Sequence, residues 1–273
     1  MIKIIESLKQ KEIAYEKDGT VYFDITKFPE YGKLSHYSPA QMLLLAKERG
    51  ADPSDPKKKN PLDFILWQAM KPGEPIFESP FGKGRPGWHI ECSAMILDYL
   101  GEQIDIHGGG RDLIYPHHES EIAQSESFSG KNPFAGVWMH TSMVQYNGEK
   151  MSKSLGNMIM VADLLSQYSA NTIRYLLLSH TYRSPWEYTT ENIQTARAIS
   201  QFIANTFKDI HSDEKQLDMQ LIKLFCEAMD DDLNTPEALI LLNKITQNSL
   251  LIKKPQTLTT LKYLFGVLGF LFT

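Results

Sequence analysis

Cysteine is nearly absent from this sequence. Its 273 residues hold two, Cys92 and Cys226, far apart and in segments of different character. That spacing argues against a disulfide framework and predicts a reducing, cytoplasmic setting. Long apolar runs are missing as well, so no membrane span is expected. The amino terminus interleaves Lys3, Glu6 and Lys9 with Ile2, Ile4, Ile5 and Leu8 and lacks the apolar core of a signal peptide. Nor is there an excess of positive charge. The 28 Lys and Arg oppose 33 Asp and Glu for a net charge of -5, which excludes a chain-wide basic footprint, so any contact with RNA has to be local. What remains is an ordinary globular composition, 42% hydrophobic and 22% charged, in a chain long enough to divide into more than one unit.

Against that background one string carries chemistry: Lys150-Met151-Ser152-Lys153-Ser154, followed by Leu155-Gly156-Asn157. A lysine ammonium is a compact point charge that can follow a pyrophosphate leaving group as its charge grows. Met143 to Tyr146 alternates like a strand and Asn147-Gly148 is a type I′ turn signal, which predicts the lysines just beyond a hairpin. Lys150 and Lys153 are therefore the candidate catalytic, ATP-contacting residues. A solvated basic loop is the plain alternative, but a fixed five-residue string beside a hairpin turn is improbable by chance.

Elsewhere the chain reads in blocks. Ile4, Ile5 and Leu8 predict a short amphipathic helix, and Asp18-Gly19 a hairpin between Ile13 to Glu16 and Val21 to Ile25. Asp52 to Pro61 is a proline-broken loop whose Lys57, Lys58 and Lys59 read as a solvated surface, with RNA contact the alternative. Phe64, Leu66 and Trp67 form an apolar patch, Lys71 to Gly87 an irregular connection, and the first segment ends near Phe81. Ile90, Ala94 and Leu97 recur at helical spacing between Pro86 and Gly101. Ile104 to Ile106 predicts a short strand ending at His107 and Gly108 to Gly110, and ligands of open α/β sheets bind outside such ends. The three glycines alone complete no dinucleotide or P-loop fingerprint. Val137 to Met143 is a further strand. Beyond Ser169 the pattern is helical, over Ile173 to Leu178, Ile193 to Phe207, Leu221 to Met229, Ala238 to Leu251 and Leu258 to Leu271. Asp230-Asp231-Asp232 lacks the spacing and central glycine of an EF-hand loop. Capping explains that run better, with Thr235 as N-cap and Pro236 at the first helical position. Cys226 is expected to be buried among apolar residues of this region.

His117 and Glu121, spaced i,i+4 after Pro116, can present an imidazole and a carboxylate to one point, and Cys92 can supply sulfur. His118 competes with His117 but lacks the i,i+4 partner. On residues alone, a helix-start histidine and a surface glutamate are an equally ordinary reading. Cys92 is expected in the first turn of its helix, where the dipole favours a thiolate. Trp88, read alone, is as readily a core indole as a ligand cover.

Together, Gly84-Arg85-Pro86-Gly87-Trp88-His89-Ile90-Glu91-Cys92-Ser93, Asp105-Ile106-His107-Gly108-Gly109-Gly110, Pro116-His117-His118-Glu119-Ser120-Glu121-Ile122-Ala123-Gln124 and Lys150 to Ser154 resemble the cysteinyl-tRNA synthetase family of class I. The resemblance covers nearly the whole chain and is strongest from Asn60 to Trp186. It implies an α/β fold, the second half of a doubly wound, Rossmann-type nucleotide-binding domain, preceded by an α+β insertion and followed by a helical bundle. The implied segments are 1–80 for the insertion, 81–160 for the catalytic half, 161–215 for a helical stem-contact region and 216–273 for the start of a tRNA-binding helical domain. It further implies zinc on Cys92, His117 and Glu121, a cysteine pocket formed by Trp88 and His107, ATP with magnesium at Lys150 and Lys153, and tRNA(Cys) as partner. The reaction implied is activation of cysteine to cysteinyl-adenylate and transfer to tRNA.

One departure stands out: the family's His-x-Gly-His element is absent from these residues. The expectation is a chain that needs a separate polypeptide carrying the amino-terminal half, along with the fourth zinc ligand, and that has a sheet edge open to association. A cysteine-activating ligase of the mycothiol-pathway type and a noncatalytic zinc- or RNA-binding remnant are the alternatives.

Overall fold

In a computed structural model of the chain, Ile4, Ile5 and Leu8 line the buried face of α1 (Ile2–Gln10), as their spacing predicts. The structure describes residues 1–151, 155–208 and 216–272, divided between the units Met1–Thr141 and Ser142–Thr273.

In the first unit, β1 (Ala14–Lys17) and β2 (Thr20–Phe23) form the expected hairpin across Asp18 and Gly19, both at positive φ (52° and 74°) as a type I′ turn requires. After α2 (Pro39–Glu48), started by a Ser38/Gln41 capping box, β3 (Phe64–Ala69) pairs with β2, and β4 (Gly84–Pro86) with β3. The stretch from Lys71 to Gly87, read as irregular, thus ends in a strand. Its glycines are why: a Cβ at Gly84 or Gly87 would lie 2.1 or 2.0 Å from the carbonyl oxygen of Gln68 or Ile65, so only glycine lets this backbone approach β3. Phe23 and Phe64 stack at 4.8 Å beneath the sheet. Full burial of each such ring stabilises by about 1.5–3 kcal/mol.

The helix α3 (Trp88–Tyr99) contributes Ile90 to this core and α4 (Glu119–Ser129) contributes Ala123. Between them β5 (Ile104–Gly110) runs parallel to β6 (Ala135–Thr141). The strand expected to end at Ile106 continues through all three glycines, paired as far as Gly110 with Thr141. Gly109 is needed there, since a Cβ would lie 2.8 Å from Cε1 of His118. Along this pair His107 and Trp138 point to one face, with ring centroids 4.7 Å apart. Ile106 and Val137 point to the other and are 66% and 56% exposed.

A buried carboxylate ties the loop before α2 to α4. Glu119, fully buried, accepts hydrogen bonds from the backbone N–H groups of Gly32 (2.9 Å), Leu34 (3.3 Å) and Ser35 (2.9 Å). Next to it, the Tyr31 hydroxyl lies 3.2 Å from Ser120 Oγ, and Lys33 pairs with Glu126 at 2.6 Å.

In the second unit, β7 (Val144–Tyr146) and β8 (Glu149–Lys150) make the expected hairpin, with Asn147 and Gly148 at φ 54° and 75°. Lys150 lies in the second strand rather than beyond it. On its other edge β7 pairs in parallel with β9 (Trp186–Glu187). The helices are α5 (Val161–Leu165), α6 (Ala170–Leu178), α7 (Thr190–Phe207), α8 (Met219–Asp230), α9 (Thr235–Thr246) and α10 (Pro255–Val267). They share one core containing Leu176, Ile193, Ile203, Leu239 and Phe265.

Ser169, Thr189 and Asp218 cap three of these helices. The cap of α9 is Asn234, one residue before the expected Thr235, because the Asn234 amide oxygen reaches Glu237 N–H at 3.2 Å. Two helices end earlier than their apolar periodicity suggests. Asn248 folds its side chain onto the N–H groups of Leu250 and Leu251, and Gly269 adopts φ 83° after α10. Cys226 is exposed, contrary to expectation, because α8 buries Leu221 and Phe225 and turns the next residue outward.

Candidate metal and substrate site

Five elements of the first unit aim titratable and indole side chains at one place. Helix α3 brings Trp88, His89 and Cys92; β5 brings His107; the bend Ile114–His118 and the start of α4 bring His117, His118 and Glu121; β6 brings Trp138 and His140. Glu121 is the hub. Its side chain is fully buried, and Oε2 lies 3.0 Å from Nε2 of His107, 3.7 Å from that of His117 and 3.8 Å from that of His118. Its Oε1 is buried with no hydrogen-bond partner. An ionised carboxylate with an orphaned buried oxygen is costly unless a cation completes it.

Among the described residues, two donor sets converge within 4.8 Å, Cys92/His117/Glu121 and His107/His118/Glu121. The first is the sequence-derived set. Thiol, imidazole and carboxylate are the borderline-soft mixture that suits zinc, so these residues fit such an ion. Trp88, 49% exposed, stacks on His117 at 4.5 Å, and His117 Nδ1 is 2.9 Å from His89 Nδ1. His118 Nδ1 lies 2.7 Å from His140 Nε2. Below them Gln124 Nε2 donates to His89 O and to Ser93 Oγ, each at 2.6 Å, which joins α3 to α4.

Burial lowers the proton affinity of His89, His117, His118 and His140. His89 is pushed down to about 3 by desolvation and then by His117, and His118 to about 3 by desolvation and then by its three histidine neighbours. His117 is also lowered, burial outweighing the attraction of Glu121. These rings are therefore neutral at pH 7, the form a metal requires. Cys92 differs from expectation. It is the fifth residue of α3, just past the first turn where the dipole acts, and burial followed by Glu121 and Glu91 pushes its thiol up.

A pH dependence follows. Unfolded histidines titrate near 6.5, so below that pH the unfolded chain binds more protons than the folded one and stability falls. His89 and His118 each contribute a slope of up to about 1.4 kcal/mol per pH unit between 6.5 and about 3. Urea midpoints of the chelator-treated chain should drop from pH 7 to pH 5 and be flat, from this source, above pH 7. Equal midpoints at pH 7 and pH 5 would mean that the imidazoles are solvated.

Residues 1–198 match the family model described as tRNA synthetases class I (C) catalytic domain, and residues 224–273 match the DALR domain. The chain belongs to the class I (C) tRNA synthetases. A cysteine–tRNA ligase of Legionella pneumophila (strain Paris) is 46% identical over 99% of this chain and 59% of its own length. One from Thermodesulfovibrio yellowstonii is 48% identical over 93% of this chain and 56% of its own. The chain thus spans somewhat less than three fifths of these relatives. Among solved structures, a Campylobacter jejuni structure assigned as an arginyl-tRNA synthetase aligns with a TM-score of 0.51 at 14% identity, over 98% of this chain and 60% of its own, a likeness of fold alone.

For this class I synthetase chain, the structure brings Trp88, Cys92, His107, His117 and Glu121 together in the first unit. Lys150 lies exposed in the second, its carbonyl accepting from Asn157 Nδ2 at 3.2 Å. Lys153 lies outside the described residues. His89, Trp138, His140 and the Gln124–Ser93 contact were not singled out from sequence. Two signals existed: His89 is i,i+3 to Cys92 on one helix, and Trp138 and His140 alternate on one strand. No helix among the described residues is long and apolar enough to cross a membrane.

Proposed function

We propose that this chain carries the second catalytic half of a cysteine–tRNA ligase. Its reaction is ATP-dependent activation of cysteine to cysteinyl-adenylate, followed by transfer to tRNA(Cys). The observation that carries the reading is the convergence of Cys92, His117 and Glu121 within 4.8 Å beside Trp88. Cys92, His117 and Glu121 would hold a zinc ion, which would supply a borderline-soft Lewis acid that favours a substrate thiolate over a serine hydroxyl. Trp88 covers the amino acid, and His107 orients Glu121 through their 3.0 Å contact. Lys150 and Lys153 neutralise the pyrophosphate leaving group, with magnesium accompanying ATP.

On this reading the parallel pair β5–β6 is part of a doubly wound nucleotide-binding sheet, residues 1–80 an insertion in it, 161–215 a stem-contact region and 216–273 the beginning of a helical tRNA-binding domain. The His-x-Gly-His element is absent from these residues, so on this reading activation of cysteine needs that half supplied together with them.

The test is cysteine-dependent ATP–pyrophosphate exchange, measured with the chain alone and with the amino-terminal half of a related synthetase added. The expected result is silence alone and exchange after addition. Lys153→Ala should lower the complemented rate about 100- to 1000-fold, the usual cost of losing one group that stabilises developing charge. Silence in both arms, with the fold verified, would overturn the proposal.

A further inference from the structure

The acidic run Asp230 to Asp232 has no part in the site described above, yet its last residue is held more firmly than a helix connection needs. Asp232 and Leu233 both adopt positive φ, 55° and 54°, between α8 and α9. Neither is glycine, so two successive left-handed residues are a strained turn that surrounding contacts must hold. The Asp232 carboxylate supplies those contacts. It accepts from the Tyr182 hydroxyl at 2.7 Å and from Arg183 Nη2 at 2.9 Å, and its second oxygen takes Arg183 Nε. The guanidinium also lies over the Tyr182 ring, 5.1 Å from its centroid. The fork-to-fork geometry fixes direction as well as distance.

Tyr182 and Arg183 are gripped from the other side too. Ser142 N–H donates to the Tyr182 carbonyl at 2.7 Å, and Ser142 Oγ donates to that of Arg183. Ser142 stands two residues before β7, whose partners are β9 on one edge and β8, with Lys150 opposite Gln145, on the other. Tyr188 N–H donates to Gln145 O at 2.8 Å, Met151 N–H to Val144 O at 3.2 Å and Gly148 N–H to Glu187 Oε1 at 2.9 Å. A short, two-residue strand such as β8 has little pairing of its own to fix its register. The continuous path from the α8–α9 turn runs through Asp232, Tyr182 and Arg183, then Ser142 and β7, to Lys150.

We propose that Asp232 is a positioning residue. Through Tyr182, Arg183 and Ser142 it sets the strand pair that carries Lys150, and so couples the α8–α9 turn to that lysine. The use of Lys150 for polyphosphate rests on the function proposed above; the mechanical link does not. Asp231 and Asn234 complete the turn locally, the Asn234 amide donating to Asp231 at 3.2 Å, and reach neither Tyr182 nor Arg183.

Amide exchange in the full chain separates the two claims. Asp232→Ala should speed exchange at Ser142, Met151 and Tyr188 at least about fivefold, while the Ile193 and Ile203 amides of α7 stay unchanged. Asp232→Glu should restore part of the protection. Glu227→Gln, which removes an exposed ion pair within α8, should leave all five amides unchanged. Wild-type exchange at Ser142, Met151 and Tyr188 in Asp232→Ala would overturn the link. ATP affinity, read in parallel by titration, should fall with the lost protection. Faster exchange with ATP affinity intact would keep the link and remove Lys150 from the polyphosphate site.

Discussion

Glu121→Ala is expected to lower zinc affinity by at least about 100-fold, measured by competition with a chromophoric chelator at pH 7. Loss of an outer-shell partner alone typically costs about 10- to 100-fold, and Glu121 is the one residue common to both donor sets. The neighbours decide which set holds the ion. If Cys92, His117 and Glu121 hold it, Cys92→Ser and His117→Ala lose affinity to a similar degree, while His118→Ala keeps most of it. If His107, His118 and Glu121 hold it, Cys92→Ser changes nothing. Cobalt substitution gives an independent readout, since a sulfur-to-metal charge-transfer band appears only if Cys92 is a ligand. Because Cys92 is pushed up by burial and two carboxylates, binding releases a thiol proton and tightens as pH rises.

The second large effect is structural. Glu119→Ala leaves the N–H groups of Gly32, Leu34 and Ser35 without their acceptor. A buried unsatisfied donor costs about 1–3 kcal/mol, and partial rehydration of the loop recovers some of that, so the expected loss is about 2–4 kcal/mol in urea unfolding. Glu119→Gln, which keeps one acceptor oxygen, should lose less. Equal stability of Glu119→Ala and wild type would mean that the loop does not depend on this carboxylate. The effect should extend to the metal site, because α4 carries both Glu119 and Glu121.

How much of this was legible beforehand follows from the range of the forces involved. The hairpins at Asp18-Gly19 and Asn147-Gly148 were legible because a turn needing two positive φ values leaves few residue choices. The pairing of Cys92 with His117 and Glu121 was legible through family resemblance, and only half so through the i,i+4 spacing. The continuation of β5 through Gly108 to Gly110 was not, since glycine runs usually mark turns and the pressure for glycine at Gly109 comes from the distant His118 ring. Cys226 was misplaced because an apolar period marks a helix face only within about a residue. The role of Asp232 was out of reach, resting on Tyr182 and Arg183, about fifty residues away.

The alternation along β5 and β6 has a practical side. Ile106 and Val137 sit opposite each other on the face away from His107 and Trp138. Threonine at both positions keeps the β-branched shape that strands favour while adding a hydroxyl toward solvent. On the proposed doubly wound sheet both faces are covered, so the threonine pair would ease handling of this chain by itself while giving up apolar contact that the completed sheet needs on the side away from the histidines.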